Sequence, residues 1–537
     1  MPDSEPDAPV PHGSHASDPA PAPSGRRGTR HAPPEANRWW TLTAVCLGTF
    51  MLLLDITIVN VALPDIQDVL HASFSDLQWV VDAYALTLAA LLLTAGSLAD
   101  MYGRRLLYMI GLVIFTVASL LCGLANDILM LQLWRGLQGI GGSIMFSVSL
   151  ALLAEAFRGK DRGTAFAVWG TIIGLAVSIG PLLGGVLTTG LSWRWIFFVN
   201  LPIGAVAVVI TLLKVAETRH PQARRPDWPG FVLFTAALSS LVYALIESSR
   251  KSFSNPVVIA CLAGAVVLGA GFVLVESRSR QPMFDLSLFR KPTFSGGLVA
   301  AFGLSASLLS LLLYLVLYVQ DVLGFSALGT GVRLLVISGG ILVMSTISGR
   351  LSSKIPVRFL IGPGLLLVGG GLLWMRGLDA SSQWTHLIPG MIVSGSGLGL
   401  VNPPLASTAV GVVQPAHAGM ASGINSTFRQ IGIATGIALL GTLFSSKIKS
   451  FVTGHIDSIP GLRGRSSQIS TAIQSGTVQQ TLATLPARDR GPVRQLTASA
   501  FTSGLNEIFL VGAIIALAAG VISFATIRTK DFAQQPS

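Results

Sequence analysis

The sequence predicts an all-α membrane protein, and three observations carry that prediction. Of its 537 residues, 51% are hydrophobic and only 11% are charged, against about 25% charged in soluble domains; most of the surface is not built for water. The apolar residues gather into runs at about 39–62, 78–99, 106–125, 131–154, 164–188, 194–214, 230–247, 256–276, 294–319, 329–349, 357–376, 386–411, 421–443 and 506–527, each near the ~20 residues a bilayer core requires and too long for barrel strands. Finally, Lys and Arg crowd every second connection, the signature of membrane orientation. Because only helices or closed barrels satisfy the backbone in lipid, the runs read as fourteen transmembrane helices.

Orientation follows from the loops. Arg104 and Arg105 follow the second run; Arg158, Lys160 and Arg162 the fourth; Arg219, Arg224 and Arg225 the sixth; Arg278, Arg280, Arg290 and Lys291 the eighth; Arg350, Lys354 and Arg358 the tenth. The other loops hold at most Arg194, Arg250 with Lys251, or Arg376. The even loops and both termini are therefore expected in the cytoplasm of a multi-pass cell (plasma) membrane protein. The formal charge of +11 is thereby spent on orientation and gives no reason to expect a nucleic-acid partner. Residues 1–37 are rich in Pro, Ala, Ser and His and read as a disordered cytoplasmic tail, not a signal peptide. The irregular spacing of His12, His15 and His31 does not make a metal site, and no metal is expected. Cys46, Cys122 and Cys261 sit in apolar runs and read as small core residues. Residues 444–505 form a long Ser/Thr/Gln-rich loop, external by parity. It reads as a partly ordered cap or a flexible insertion, the composition favouring the second.

Taken in order, several runs carry polar chemistry. The first contains Leu54-Asp55-Ile-Thr57-Ile-Val-Asn60. An aspartate in so apolar a run costs about 2.5–3.5 kcal/mol on insertion scales and marks function. The second run opens near Asp82 and ends in Gly96-Ser-Leu-Ala-Asp100-Met-Tyr-Gly103-Arg104-Arg105. Gly96 and Gly103 permit close helix approach and a tight turn. Asp100 can pair with a cation or accept from a helix N-terminus, and Arg104 and Arg105 are placed to pair with acids on neighbouring helix ends. Such a charge cluster can latch one conformation; as a bare loop it would be a positive-inside turn. The fourth run opens with Arg135-Gly136-Leu-Gln138-Gly139, a second buried charge on a small-residue packing face. Counting about 1.5 Å per residue, Asp55, Asp82 and Arg135 fall in the outer half of the membrane within roughly 5 Å of one another in depth. Together they read as an acid–base constellation, with Asp82 also explicable as an interfacial residue that snorkels to water. The fifth run holds Gly174, Gly180, Pro181, Gly184 and Gly185, which are expected to break or bend the helix. Met51, Asn60, Tyr84, Gln138, Met145, Asn425 and Phe428, with Phe50 and Trp79, are candidates to line a substrate cavity with adaptable contacts.

Residues 96–105 resemble the cytoplasmic-loop signature of the major facilitator superfamily, with Met101 where that family usually has a basic residue. Gly174 and residues 180–185 resemble its helix 5 antiporter signature, with Ala167 and Ala176 replacing two earlier glycines. Residues 193–204, the stretch Ala421-Ser-Gly423-Ile-Asn425-Ser-Thr-Phe-Arg429-Gln430-Ile-Gly432, and Phe284-Asp285-Leu286 are similar to the fourteen-helix drug:proton antiporter family, over about residues 40 to 530. The resemblance implies two six-helix bundles related by a pseudo-twofold axis. These would be 38–214 and 292–530, with an inserted helix pair within 215–291 and a short tail at 531–537. Only Gly349-Arg350-Leu351, echoing the loop after the second run, supports the repeat directly. The family implies a proton-coupled antiporter, working as a monomer and driven by the proton gradient without a cofactor. It would export small amphipathic drugs or antibiotics, cations among them, by alternating access, with Asp55, Arg135 and Asp82 loading and releasing the proton.

Rival classes fare less well. No Gly-rich phosphate loop with its Lys, metal-ligand spacing or nucleophile elbow is found, so an enzyme or ATP-driven pump is disfavoured. A channel would show a selectivity element. A metabolite or lipid carrier, a uniporter or an importer of the same superfamily remains the alternative, opposed by the Gly180-Pro181 signature through resemblance alone.

Overall fold

Each apolar run becomes one long helix in the computed structural model, which describes residues 35–72, 74–157, 159–218, 228–251, 253–279, 286–352, 354–414, 418–456, 466–474, 487–528 and 531–532. The expectations for residues 1–34, for Arg219, Arg224 and Arg225, and for Phe284-Asp285 fall outside the described residues. The first bundle consists of α1 (Glu35–Leu70), α2 (Phe74–Tyr102), α3 (Arg104–Gly123), α4 (Ile128–Ala156), α5 (Gly159–Gly190) and α6 (Trp195–Lys214, with a turn at Val199). Next come α7 (Trp228–Lys251) and α8 (Pro256–Arg278). The second bundle opens with α9, which runs as Pro292–Leu304, a π-helical segment Ser305–Leu309, Ser310–Leu317 and a second π segment Tyr318–Val322. It continues with α10 (Ala327–Leu351), α11 (Arg358–Trp374), α12 (Ile388–Gly411), α13 (Ala418–His455) and α14 (Ala487–Thr526). Eleven of the described helices are long and apolar enough to cross a membrane by length and composition, and α11 is a shorter apolar helix; fourteen spans are consistent with this.

Helix packing reveals the internal repeat that the sequence barely shows. In the first bundle α4 packs on α2 and α3, and α1 on α5 and α6; in the second, α12 packs on α10 and α11, and α9 on α13 and α14. The bundles meet along two seams, α2 against α13 and α5 against α10. Each seam thus joins the second helix of one half to the fifth of the other, which is what a pseudo-twofold requires. The inserted helices α7 and α8 pack on each other, and α7 lies against α2 and α13. Most of α8 faces outward, with Val266 and Val267 about 70% exposed; such an apolar surface suits lipid.

Two local devices shape the second bundle. Pro403 and Pro404 lie inside α12 and cannot donate to the carbonyls of Gly399 and Leu400, one turn earlier. Serines of α10 replace the missing donors: Ser345 Oγ donates to Gly399 O at 3.2 Å and Ser348 Oγ to Leu400 O at 2.7 Å. The helix therefore continues without orphaned carbonyls, as lipid demands. In α9 the carbonyl of Ser305, which accepts from the Ser310 amide across the π turn, also accepts from the Ser310 hydroxyl at 2.9 Å.

Two expectations need correction. Much of residues 444–505 is helix, because α13 and α14 run on as 38- and 40-residue helices. At 1.5 Å per residue each is about 60 Å long, roughly twice a bilayer core. The extensions are held by Phe444 against Phe501, ring centroids 4.9 Å apart, and by buried Val452, Val493 and Leu496. A short helix, Ser466–Gln474, adds Ile469 and Ile473 to the same core. Arg463 and Arg465 fall outside the described residues. Likewise, of the break or bend expected in α5 the break is absent, since the helix runs on through Pro181: one lost backbone donor does not break a helix whose remaining backbone bonds have no water to turn to.

Candidate functional site

Asp55 sits in the middle of α1 and is fully buried, 0% exposed; Arg135, one turn into the membrane part of α4, is 1% exposed. The Arg135 guanidinium donates through Nη1 to Asp55 Oδ2. The other carboxylate oxygen accepts from Gln138 Nε2 at 2.8 Å and Asn200 Nδ2 at 3.1 Å. Arg135 also donates to Gln138 Oε1 at 2.7 Å and to the carbonyl of Val80 at 3.0 Å, and it lies 4.3 Å from the Tyr84 ring centroid. Ser119 Oγ accepts from Gln138 at 2.8 Å. Five helices, α1, α2, α3, α4 and α6, thus converge on one neutral ion pair. Removing two charges from water costs several kcal/mol per ion, and here three donors meet the two carboxylate oxygens.

Of the three predicted acid–base residues, Asp55 and Arg135 come together. Asp82 does not join them: it is half-buried on α2, outside this hydrogen-bond network. Depth along a helix says nothing about which way a side chain turns. Gln138 and Tyr84, predicted as cavity residues, belong to the ion-pair network instead. Met51 and Met145 are packed in the core of the first bundle. Phe428 turns sideways against Phe289, ring centroids 6.4 Å apart, and Trp79 lies against Tyr243 of α7 at 6.0 Å. Asn425 is buried on the face of α13 toward the first bundle. The side chains of Asn60 and Pro181 fall outside the described residues. Ser119 and Asn200 were missed: a serine in an apolar run gives no signal, and Asn200 was read only as part of a longer pattern.

The helix 5 glycines lie beside this site. A Cβ on Gly180 would overlap Thr57 Oγ1, and one on Gly184 would lie 3.1 Å from Ile58, so α5 presses on α1 one turn beyond Asp55. Gly174 faces Ile341 of α10, on the seam. Gly185 is half-buried on the same helix.

A second charged site closes one end of the α2–α13 seam. Asp100 Oδ1 accepts from Arg104 Nη2 at 2.8 Å and from Gly419 N at 3.1 Å, while Oδ2 accepts from Met420 N at 2.9 Å. The carboxylate therefore joins a buried guanidinium to the first amides of α13, where the helix dipole favours an anion. Arg104 also reaches Glu155 at 3.4 Å. Gly103 has φ +117°, a conformation that favours glycine. Among the described residues the Arg105 guanidinium meets no acid; it donates to the carbonyl of Leu212 at 2.6 Å. Glu217, unremarked in the sequence, accepts from the amides of Arg105 and Leu106 at 3.1 and 3.0 Å and caps α3. Backbones touch here: a Cβ on Gly96 would run into the carbonyl oxygen of Gly419.

The described residues contain no cluster able to hold a metal ion. A family model described as Major Facilitator Superfamily matches residues 45–437. The chain is 38% identical over 418 residues to the multidrug resistance protein Stp of Mycobacterium tuberculosis, covering 78% of each chain. It is 32% identical over 516 residues to the tetracenomycin C resistance and export protein of Streptomyces glaucescens, covering 95% of this chain and 96% of that one. Its fold is similar to that of the human organic anion transporter MFSD10 (TETRAN), with a TM-score of 0.57 at 15% identity over 90% of this chain and 100% of that one.

Proposed function

The chain belongs to the major facilitator superfamily and is a multi-span membrane transporter rather than an enzyme, and we propose that it is a proton-coupled antiporter that exports small amphipathic drugs or antibiotics. The buried Asp55–Arg135 pair carries this reading. A proton arriving at Asp55 would cancel the carboxylate charge and release the Arg135 guanidinium to another partner. The pair therefore has two arrangements that differ by one proton, and α1 and α4 move apart or together with them. Because Gly180 and Gly184 press on α1 beside Thr57 and Ile58, such a movement passes into α5 and from there to the α5–α10 seam. Entry of each proton supplies about 2.3 kcal/mol per 100 mV of membrane potential, enough to drive export against a gradient.

In this reading the Asp100 end is cytoplasmic, by the Lys and Arg bias of its loops. The bonds from Asp100 to Arg104 and to α13 keep that end shut until substrate arrives. Resistance and export are named functions of the relatives Stp and the tetracenomycin C protein, and they favour drugs or antibiotics as cargo here. The test is purified protein in liposomes with an imposed pH gradient, following lumenal pH and efflux of a substrate panel. Asp55→Asn is expected to insert normally and to abolish gradient-driven exchange. Coupling that survives in this variant, or efflux indifferent to the gradient, overturns the proposal.

A further inference from the structure

Three arginines are buried in the described bundles, and they are not alike. Arg104 faces Asp100 and Glu155. Arg135 faces Asp55. Arg429 on α13 is 6% exposed, and its polar partner among the described residues is the neutral amide oxygen of Asn402 on α12. An ion so deeply buried is ordinarily matched by an opposite charge.

The surroundings put Arg429 between the bundles. A Cβ on Gly170 of α5 would lie 3.5 Å from the Cβ of Asn402, so α5 passes directly over Asn402. Ser422, Asn425 and Arg429 recur at three- and four-residue spacing and share one stripe of α13. At its start Ser422 donates to the carbonyl of Ser147 on α4, so the stripe faces the first bundle. Arg429 stands ten residues past Gly419, about 15 Å in from the closed end, near mid-membrane. Asn425, 1% exposed, has a buried amide oxygen with no hydrogen-bond partner among the described residues. Buried polar atoms are rarely left so. The two ends of an amide are interchangeable, so Asn425 can accept from a ligand hydroxyl or, turned over, donate to a carboxylate.

We propose that Arg429, with Asn402 and Asn425, forms an anion subsite between the bundles, and that the preferred cargo is an amphipathic acid, an aromatic carboxylate or phenolate. The planar guanidinium suits a carboxylate or oxyanion. Asp55 is occupied by Arg135, so the charge at this subsite is that of Arg429, and a lipophilic cation meets repulsion there. The inference narrows the substrate class of the proposed exporter and rests on that reading for transport, but not for binding.

The test uses three ligands with one ring system: 1-naphthoate, neutral 1-naphthamide and cationic 1-naphthylmethylammonium. Each is measured by equilibrium dialysis against the full chain in detergent, with a protein-free detergent blank. The wild-type protein is expected to bind the acid at least tenfold more tightly than the amide, and the cation most weakly. Arg429→Gln should bind acid and amide alike, with the amide affinity unchanged as the sign of an intact fold. Should that variant fail to fold, Arg429→Lys and Asn425→Ala are each expected to cut the acid preference several-fold. A preference that persists undiminished in the variants, a cation bound most tightly, or no binding of the acid by the wild type overturns the proposal. Binding is read without a gradient, so lost coupling in Asp55→Asn tests the antiport reading and leaves this one untouched.

Discussion

The two bundles share a scaffold and differ in where they keep their acids. Helix for helix the packing repeats, and so do the seams: Gly96 of α2 abuts Gly419 of α13, and Gly349 of α10 abuts Gly163 of α5, where a Cβ would lie 2.7 Å from the Gly163 carbonyl oxygen. In the first bundle a buried arginine faces a buried aspartate, and Asp100 stands four residues after the seam glycine. In the second, Arg429 faces an asparagine, Ser353 stands four residues after Gly349, and no described Asp or Glu of α9–α14 is buried. The duplicated backbone supplies the rocking geometry; among the described residues of the two bundles, the buried carboxylate belongs to one half.

The sharpest way to break this comparison is to remove the two arginines in turn. Arg135→Leu strands Asp55 in the core, and breaking a buried pair costs about 3–5 kcal/mol. A large drop in thermal unfolding temperature is expected, with most of the loss regained in the Asp55→Asn/Arg135→Leu double variant. A double variant as unstable as Arg135→Leu alone would show that the arginine matters for packing and not for its charge.

Next in size is the seam. Asp100→Asn removes the charge from the bonds to Arg104, Gly419 and Met420. Hydrogen bonds to charged groups contribute about 1.5–3 kcal/mol, so closure at this end should weaken roughly ten- to a hundredfold. Spin labels on exposed Leu106 of α3 and Leu351 of α10 would report this as a population shifted to longer distances. An unchanged distribution would mean that the glycine contacts alone hold the seam.

Arg429→Gln should disturb folding least of the buried-charge variants. No carboxylate is left behind, and the new amide can still donate to Asn402. A change in unfolding free energy under about 1 kcal/mol is expected, against the several expected for Arg135→Leu. A loss as large as that of Arg135→Leu would mean that Arg429 has an ionic partner after all.

How much of this was legible beforehand follows the same division. Long apolar runs and the alternation of Lys and Arg gave the helices in order, since lipid leaves the backbone no alternative. Asp55, Arg135 and Asp100 announced themselves because a charge in an apolar run is costly. Asn200, Ser119 and Asn402 did not, because neutral polar residues are common in helices and their direction is set by packing. Asp82 illustrates the converse: its place along the helix was readable and its azimuth was not. Arg429 was visible in the sequence yet became informative only when its neighbours proved to be neutral. The helical extensions around residues 444–505 were hidden by polar composition, as their cores are formed between helices distant in sequence.

The smallest expected effect tests why the second seam lacks an acid. Asp100 bonds the amides of Gly419 and Met420, the second and third residues of α13, and the first four amides of a helix have no partner within it. Gly163 is the fifth residue of α5, so its amide already bonds within the helix. The start of α5 therefore offers no free amide at Gly163 to a carboxylate on α10. Ser353→Asp should therefore change seam closure by no more than about 0.5 kcal/mol, the range of an unremarkable surface substitution. The same pair of spin labels reads it. A tenfold gain in the closed population would show that α5 offers a donor site after all, and that the missing acid reflects something other than the register of the helix start.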